Sequence, residues 1–131
     1  MPALTKKQIE ELAALLRQHK IQLLEEIRDE LARSGEQHYI DLSGRVTDLG
    51  DQSVADMLAD IDAAMVDRQV KEVRDIEAAL ARIEAGEYGE CIDCGANIAH
   101  NRLLAYPTAK RCIRCQELRE KQYAEEGQHS L

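Results

Sequence analysis

Residues 86–116 read GEYGECIDCGANIAHNRLLAYPTAKRCIRCQ. Two CxxC pairs, Cys91/Cys94 and Cys112/Cys115, are separated by seventeen residues. That spacing is typical of four-cysteine zinc modules, because each pair can wrap two thiolates around two corners of one tetrahedron. Gly89 and Gly95 flank the first pair and permit the tight turns by which backbone amides reach metal-bound sulfur. Cys115 falls near the start of a final helix, where the helix dipole also favours thiolate. The sequence therefore predicts one structural zinc ion held by Cys91, Cys94, Cys112 and Cys115. A closed shell of four thiolates leaves no position for water or substrate, which disfavours metal-assisted hydrolysis. The His-x-Glu element that a zinc deaminase needs upstream of its CxxC is absent, and the chain is not expected to be an enzyme. Two alternatives stand beside this reading. The cysteines are buried or redox thiols without metal, or His100 replaces one of them; with four thiolates at hand, His100 is read as a surface residue.

N-terminal to this stretch the chain is helical in pattern. Thr5 suits an N-cap with Gln8 at N3, and Leu4 and Ile9 are placed for a hydrophobic staple. Ile9, Leu12, Leu16, Leu23, Ile27 and Leu31 then recur at three, four or seven residues, one apolar stripe that ends near Ser34 and Gly35, the latter suited to a left-handed C′ position. Residues 35–50 show no sustained period and carry Gly35, Ser43, Gly44 and Gly50, so a loop is expected, with at most a turn of helix over 39–42. A second helix is expected from about 52 to 85, with Leu58, Ile61, Met65, Val73, Ile76, Leu80 and Ile83 facing inward; the eight-residue step from Met65 to Val73 suggests a local change of supercoil. At about 1.5 Å per residue these helices would run on the order of 40 and 50 Å.

The expected fold class is thus mainly α, a long antiparallel coiled-coil hairpin plus a small C-terminal four-cysteine zinc-finger module with a terminal helix. Its parts are a coiled coil over 1–86 (helices about 5–33 and 52–85, tip loop about 35–51), the zinc module over 87–124 with a helix from Gln116 to Ala124, and a fraying tail over 125–131. Four Tyr and no Phe or Trp in 131 residues do not suit a thick aromatic or β-rich core. No apolar run resembles a signal peptide or membrane span, so the chain is expected to be cytoplasmic. In a reducing compartment paired CxxC motifs are better read as metal ligands than as disulfides.

The formal net charge is −8, and four thiolates around Zn²⁺ add about −2. Charge is also segregated. Between Asp41 and Asp62 six acids (Asp41, Asp48, Asp51, Asp56, Asp60, Asp62) face only Arg45, whereas Arg102, Lys110, Arg111, Arg114, Arg119 and Lys121 outnumber Glu117 and Glu120. A zinc ribbon touching nucleic acid through Lys110, Arg111 and Arg114 is one alternative function, opposed by the acidic total and the missing Trp and Phe. A redox-sensing zinc–thiolate switch is another.

The run Gly86-Glu-Tyr-Gly-Glu-Cys91-Ile-Asp-Cys94-Gly, with Ile98, Arg102-Leu103, Ala105, Pro107-Thr-Ala and Cys112-Ile-Arg-Cys115-Gln, resembles the zinc-finger signature of the DksA/TraR family of C4-type zinc-finger transcription regulators. The resemblance extends from about Leu12 to Tyr123. It implies a monomer whose coiled coil enters the secondary channel of bacterial RNA polymerase and alters promoter-complex stability, without sequence-specific DNA binding and without a membrane. It also implies that the tip acts near the polymerase active centre through an Asp-x-x-Asp-x-Ala-like motif, which here reads Asp48-Leu-Gly-Asp51-Gln-Ser53, serine replacing alanine; helix capping is the plain reading of the two aspartates. Arg68 and Arg102 match basic family positions and become possible polymerase contacts, or ordinary solvated arginines. Asp75, Tyr106 and Gln116 stand where ppGpp-responsive members carry Lys, Arg and Lys, and an acid repels a polyphosphate. Regulation only weakly dependent on ppGpp, or independent of it, is therefore expected. The N-terminal segment of longer members is expected to be missing.

Overall fold

A computed structural model describes residues 3–48 and 66–129. Five helices lie within them: α1 (Lys6–Arg33), α2 (Gln37–Asp48), α3 (Asp67–Glu84), α4 (His100–Ala105) and α5 (Ile113–His129).

The start of α1 is a complete capping box. Thr5 Oγ1 accepts from the Gln8 amide at 3.1 Å and Gln8 Oε1 accepts from the Thr5 amide at 2.9 Å, which satisfies two of the otherwise orphaned donors. Its stripe is buried at Leu12, Leu16, Leu23, Ile27 and Leu31. The helix stops at Ser34, and Gly35 turns the chain at φ +81°, a conformation that costs glycine little.

Within the loop expected over 35–51, residues 37–48 are helical instead, forming α2 (Gln37–Asp48), and residues 49–51 lie outside the described residues. Leu42, Ser43 and Val46 are buried and Tyr39 packs against the same core, a three-four spacing that burial against α1 makes worthwhile. Gly44 and Ser43, which read as loop residues, are accommodated locally. Gly44 lies on an open face, with nothing within 4 Å of an added Cβ, and the Ser43 hydroxyl donates to the Ile40 carbonyl at 2.6 Å.

The α3 helix runs antiparallel to α1. Leu15 and Leu16 lie near Asp75 and Ile76, whereas Leu23 and Glu26 lie near Arg68 and Gln69. Lys20 pairs with Glu77 at 3.7 Å and His19 with Glu72 at 4.0 Å. The buried face of α3 is Val70, Val73, Ile76 and Ala79, preceded by buried Val66. Val66 and Val70 lie within the eight-residue step noted from Met65 to Val73, and the buried residues of the described part step by four and then by three; Met65 itself lies outside the described residues. Leu80 and Ile83, expected inside, are only partly buried. The expected start of this helix near residue 52, with Leu58, Ile61 and Met65, lies outside the described residues.

The fold is mainly α, a long antiparallel hairpin of α1 and α3 carrying a small four-cysteine module and a terminal helix. That last helix differs from expectation at both ends. It begins at Ile113, three residues before Gln116, and its backbone stays helical to His129 instead of ending at Ala124. Side-chain pairs within α5, Gln116 with Glu120 at 3.1 Å and Arg119 with Tyr123 at 2.9 Å, support it locally.

Candidate metal centre

The first cysteine pair sits on a compact turn. The Cys91 amide donates to the Ala96 carbonyl at 2.8 Å, the Gly95 amide to the Cys91 carbonyl at 2.9 Å, and the Ile98 amide to the Gly89 carbonyl at 2.7 Å. Gly89 and Gly95 hold φ of +89° and +76°, the role their positions suggested. The second pair straddles the start of α5, with Cys115 in its first turn. The two knuckles meet where the Ile92 amide donates to the Lys110 carbonyl at 2.9 Å.

The four Sγ atoms all lie within 4.8 Å of one another. A tetrahedral site with Zn–S of about 2.3 Å has sulfur–sulfur edges of about 3.8 Å, and Cys94 Sγ lies 3.8 Å from Cys112 Sγ. The donor set also shows how strongly the cluster needs a cation. Burial opposes ionisation of Cys91, yet amides of Cys94, Cys112 and Asp93 and the Cys115 thiol donate to its sulfur and bring it down to about 6. Cys115, hydrogen-bonded to Cys112 and Cys91, is pushed up to about 12. Packed this closely, the sulfurs cannot all ionise unless a cation neutralises them. The residues fit one structural zinc ion; when bound, it would fix the two knuckles to each other and present no open coordination position.

His100 is not among the clustered ligands. Nor is it the surface residue expected; it is half-buried, with Nδ1 3.5 Å from Gln8 Nε2 of α1. This contact and the seating of Leu4 against Gly89 and Leu103 join the zinc module to the start of α1. The sequence alone assigns both Leu4 and Gly89 local roles only. Arg111, a candidate phosphate contact in the nucleic-acid alternative, is buried and bound to Asp93 at 2.8 Å. Arg102 gives its Nε to the Arg111 carbonyl at 3.2 Å. Arg68 is largely exposed and lies 3.5 Å from Glu72. Asp48 ends α2, while Asp51 and Ser53 lie outside the described residues.

A groove of about 410 Å³ opens between α1, α3 and residues 105–108, lined by Leu16, Arg68, Lys71, Glu72, Asp75 and Tyr106 among others. Two carboxylates thus stand beside its two cations. Among the described residues no helix is long and apolar enough to cross a membrane.

A helical hairpin with a closed four-thiolate finger at its base defines a structural zinc-finger protein. Residues 86–121 match the prokaryotic dksA/traR C4-type zinc finger. The RNA polymerase-binding transcription factor DksA of Escherichia coli is 34% identical over 102 residues, covering 76% of this chain and 67% of that protein. DksA of Caulobacter vibrioides is 31% identical over 123 residues, covering 92% of this chain and 81% of that protein. The structure of transcription factor DksA2 from Pseudomonas aeruginosa superposes with a TM-score of 0.61 at 27% identity, covering 91% of this chain and 88% of that one. The chain belongs to the DksA/TraR family.

Proposed function

We propose that this chain is a transcription regulator that binds bacterial RNA polymerase through the secondary channel and acts by binding, not catalysis. The observation that carries the reading is similarity across nearly the whole chain to proteins named RNA polymerase-binding transcription factor DksA. In this reading the zinc module anchors the hairpin, and the acidic segment around Asp48, Asp51 and Ser53 modulates promoter complexes near the active centre. Arg68, exposed on α3, contacts polymerase; Arg102 contributes with its terminal nitrogens, its Nε being engaged by Arg111. The mixed charge of the groove supports weak dependence on ppGpp or none, since Glu72 and Asp75 line it with Arg68 and Lys71 and oppose a polyphosphate.

The test is co-purification with core RNA polymerase, followed by transcription from a ribosomal promoter with and without ppGpp. Association with polymerase and an effect on transcription that changes little with ppGpp are expected; absence of association overturns the reading. The tip assignment is tested by the double variant Asp48→Asn, Asp51→Asn. It should bind polymerase as the parent does and lose the transcriptional effect, and undiminished regulation by that variant would refute the role of the tip.

A further inference from the structure

Among the described residues Arg111 is the one charged side chain that is buried. Its Nε donates to Asp93 Oδ2 at 2.8 Å, and the Asp93 side chain remains 47% exposed. A guanidinium withdrawn from water needs negative charge and hydrogen bonds around it. One half-solvated carboxylate supplies only part of that.

The remainder is adjacent in sequence. Asp93 lies between Cys91 and Cys94, and Arg111 immediately precedes Cys112. The ion pair therefore spans from one knuckle to the other, and its residues adjoin Cys94 and Cys112 in the chain, members of a four-thiolate set that retains about −2 after binding one Zn²⁺. The Arg111 backbone is itself tied down, since its carbonyl accepts from Arg102 Nε at 3.2 Å. The neighbouring Ile92–Lys110 hydrogen bond, 2.9 Å, crosses the same seam. For the metal to leave, the Cys91/Cys94 pair must separate from the Cys112/Cys115 pair, and the seam bridged by Asp93 and Arg111 must open.

We propose that the Asp93–Arg111 ion pair is a latch across the two zinc knuckles, positioning one cysteine pair against the other and slowing loss of the metal. Both residues are positioning residues, since neither is a ligand. The inference depends on the metal centre alone and stands apart from the polymerase reading.

The test uses the full chain loaded with cobalt(II), whose thiolate charge-transfer absorption reports the ligand set, and with zinc. Each form is challenged with excess EDTA for the parent, Asp93→Asn, Arg111→Met and the double variant. Before the challenge every variant should keep the spectrum of a four-thiolate tetrahedral site. Asp93→Asn should then lose metal about tenfold faster or more, the scale at which partners of metal ligands act. The double variant should lose it no faster than Arg111→Met, because the same contact is broken once. Metal loss from Asp93→Asn within about twofold of the parent overturns the proposal, as do single effects that multiply in the double variant. A lower unfolding temperature with an unchanged loss rate overturns it too, since that marks a pair serving only the fold. Should Arg111→Met fail to fold, Asp93→Asn carries the test, because it alters a half-exposed side chain and leaves its shape intact.

Discussion

Replacing Gly89 with alanine probes how firmly the zinc module is seated on the start of α1. Gly89 has φ +89°, and a Cβ at that position would lie 2.8 Å from Leu4 Cδ1 and 4.0 Å from Leu103 Cδ1. Holding a residue with a side chain in such a backbone conformation costs about 1–3 kcal/mol. The Leu4 side chain must also swing away and give up part of its burial, roughly 1 kcal/mol for a partly buried leucine. The sum, about 2–4 kcal/mol, corresponds to a fall in Tm of roughly 6–20 °C for a chain of this size. Thermal unfolding of the zinc-loaded protein, followed by circular dichroism, measures it. Repeating the substitution in a Leu4→Ala background separates the two causes. There the overlap is gone and only backbone strain remains, so Gly89→Ala should cost about 1 kcal/mol less than in the parent. A fall below about 2 °C, or an equal cost in both backgrounds, would refute the seating of Leu4 on Gly89.

Other consequences are open to direct measurement. Gly44→Ala should stabilise the protein by about 0.5–1 kcal/mol, because Gly44 is inside α2 with open space at its Cβ position; destabilisation in urea titration would argue against a helix there. The Tyr88 phenol is pushed up to about 12 from 10.0 by burial, partly offset by Arg82, and donates to the Pro107 carbonyl at 2.7 Å. Its raised value means that its contribution to stability is complete below pH 10 and is lost as pH rises toward 12; the Tyr88→Phe variant should lack that alkaline decline in unfolding free energy. Chelation of zinc should abolish amide-exchange protection over 86–116 while α1 and α3 keep theirs, because the module's own buried apolar side chains are few, namely Tyr88, Ile98, Leu103 and Ala109. Unchanged protection over 86–116 would show that the module folds without metal.

Legibility in the sequence followed how locally each feature is determined. The zinc site could be read because metal coordination restricts residue type, spacing and turn glycine together, leaving few other uses for CIDC and CIRC at that separation. The start of α1 was equally plain, since a capping box is complete within four residues. Residues 37–48 misled because their local signals, Gly44 and Ser43, oppose helix while the burial of Leu42 and Val46 against α1 favours it, and only the tertiary partner decides. Val66, Val70 and Ala79 stand out little in the sequence because small apolar residues weigh little in a periodicity dominated by Leu, Ile and Met, although close helix packing selects small side chains. Arg111 looked like a phosphate contact because sequence gives charge without burial. Its partner Asp93, eighteen residues away, becomes visible only when the knuckles close.

The contacts at the two ends of α1 differ in kind. At its N-terminal end Leu4 packs on Gly89 and Leu103, and Gln8 approaches His100, so the helix is fixed to a module that a metal itself holds together. Toward its C-terminal end the partners are helices, with α2 returning after a three-residue turn to bury Leu42 and Val46. Packing of these side chains helps to hold that end, and packing tolerates repacking more readily than metal coordination does. A device built this way keeps its base constant while the position of the C-terminal end of α2 depends on how α2 lies against α1. If the acidic segment is what acts on polymerase, substitutions at Leu42 or Val46 would alter regulation without altering zinc content, whereas losses at the cysteines would remove both. The two classes of variant therefore distinguish an anchored lever from a zinc finger that acts on its own.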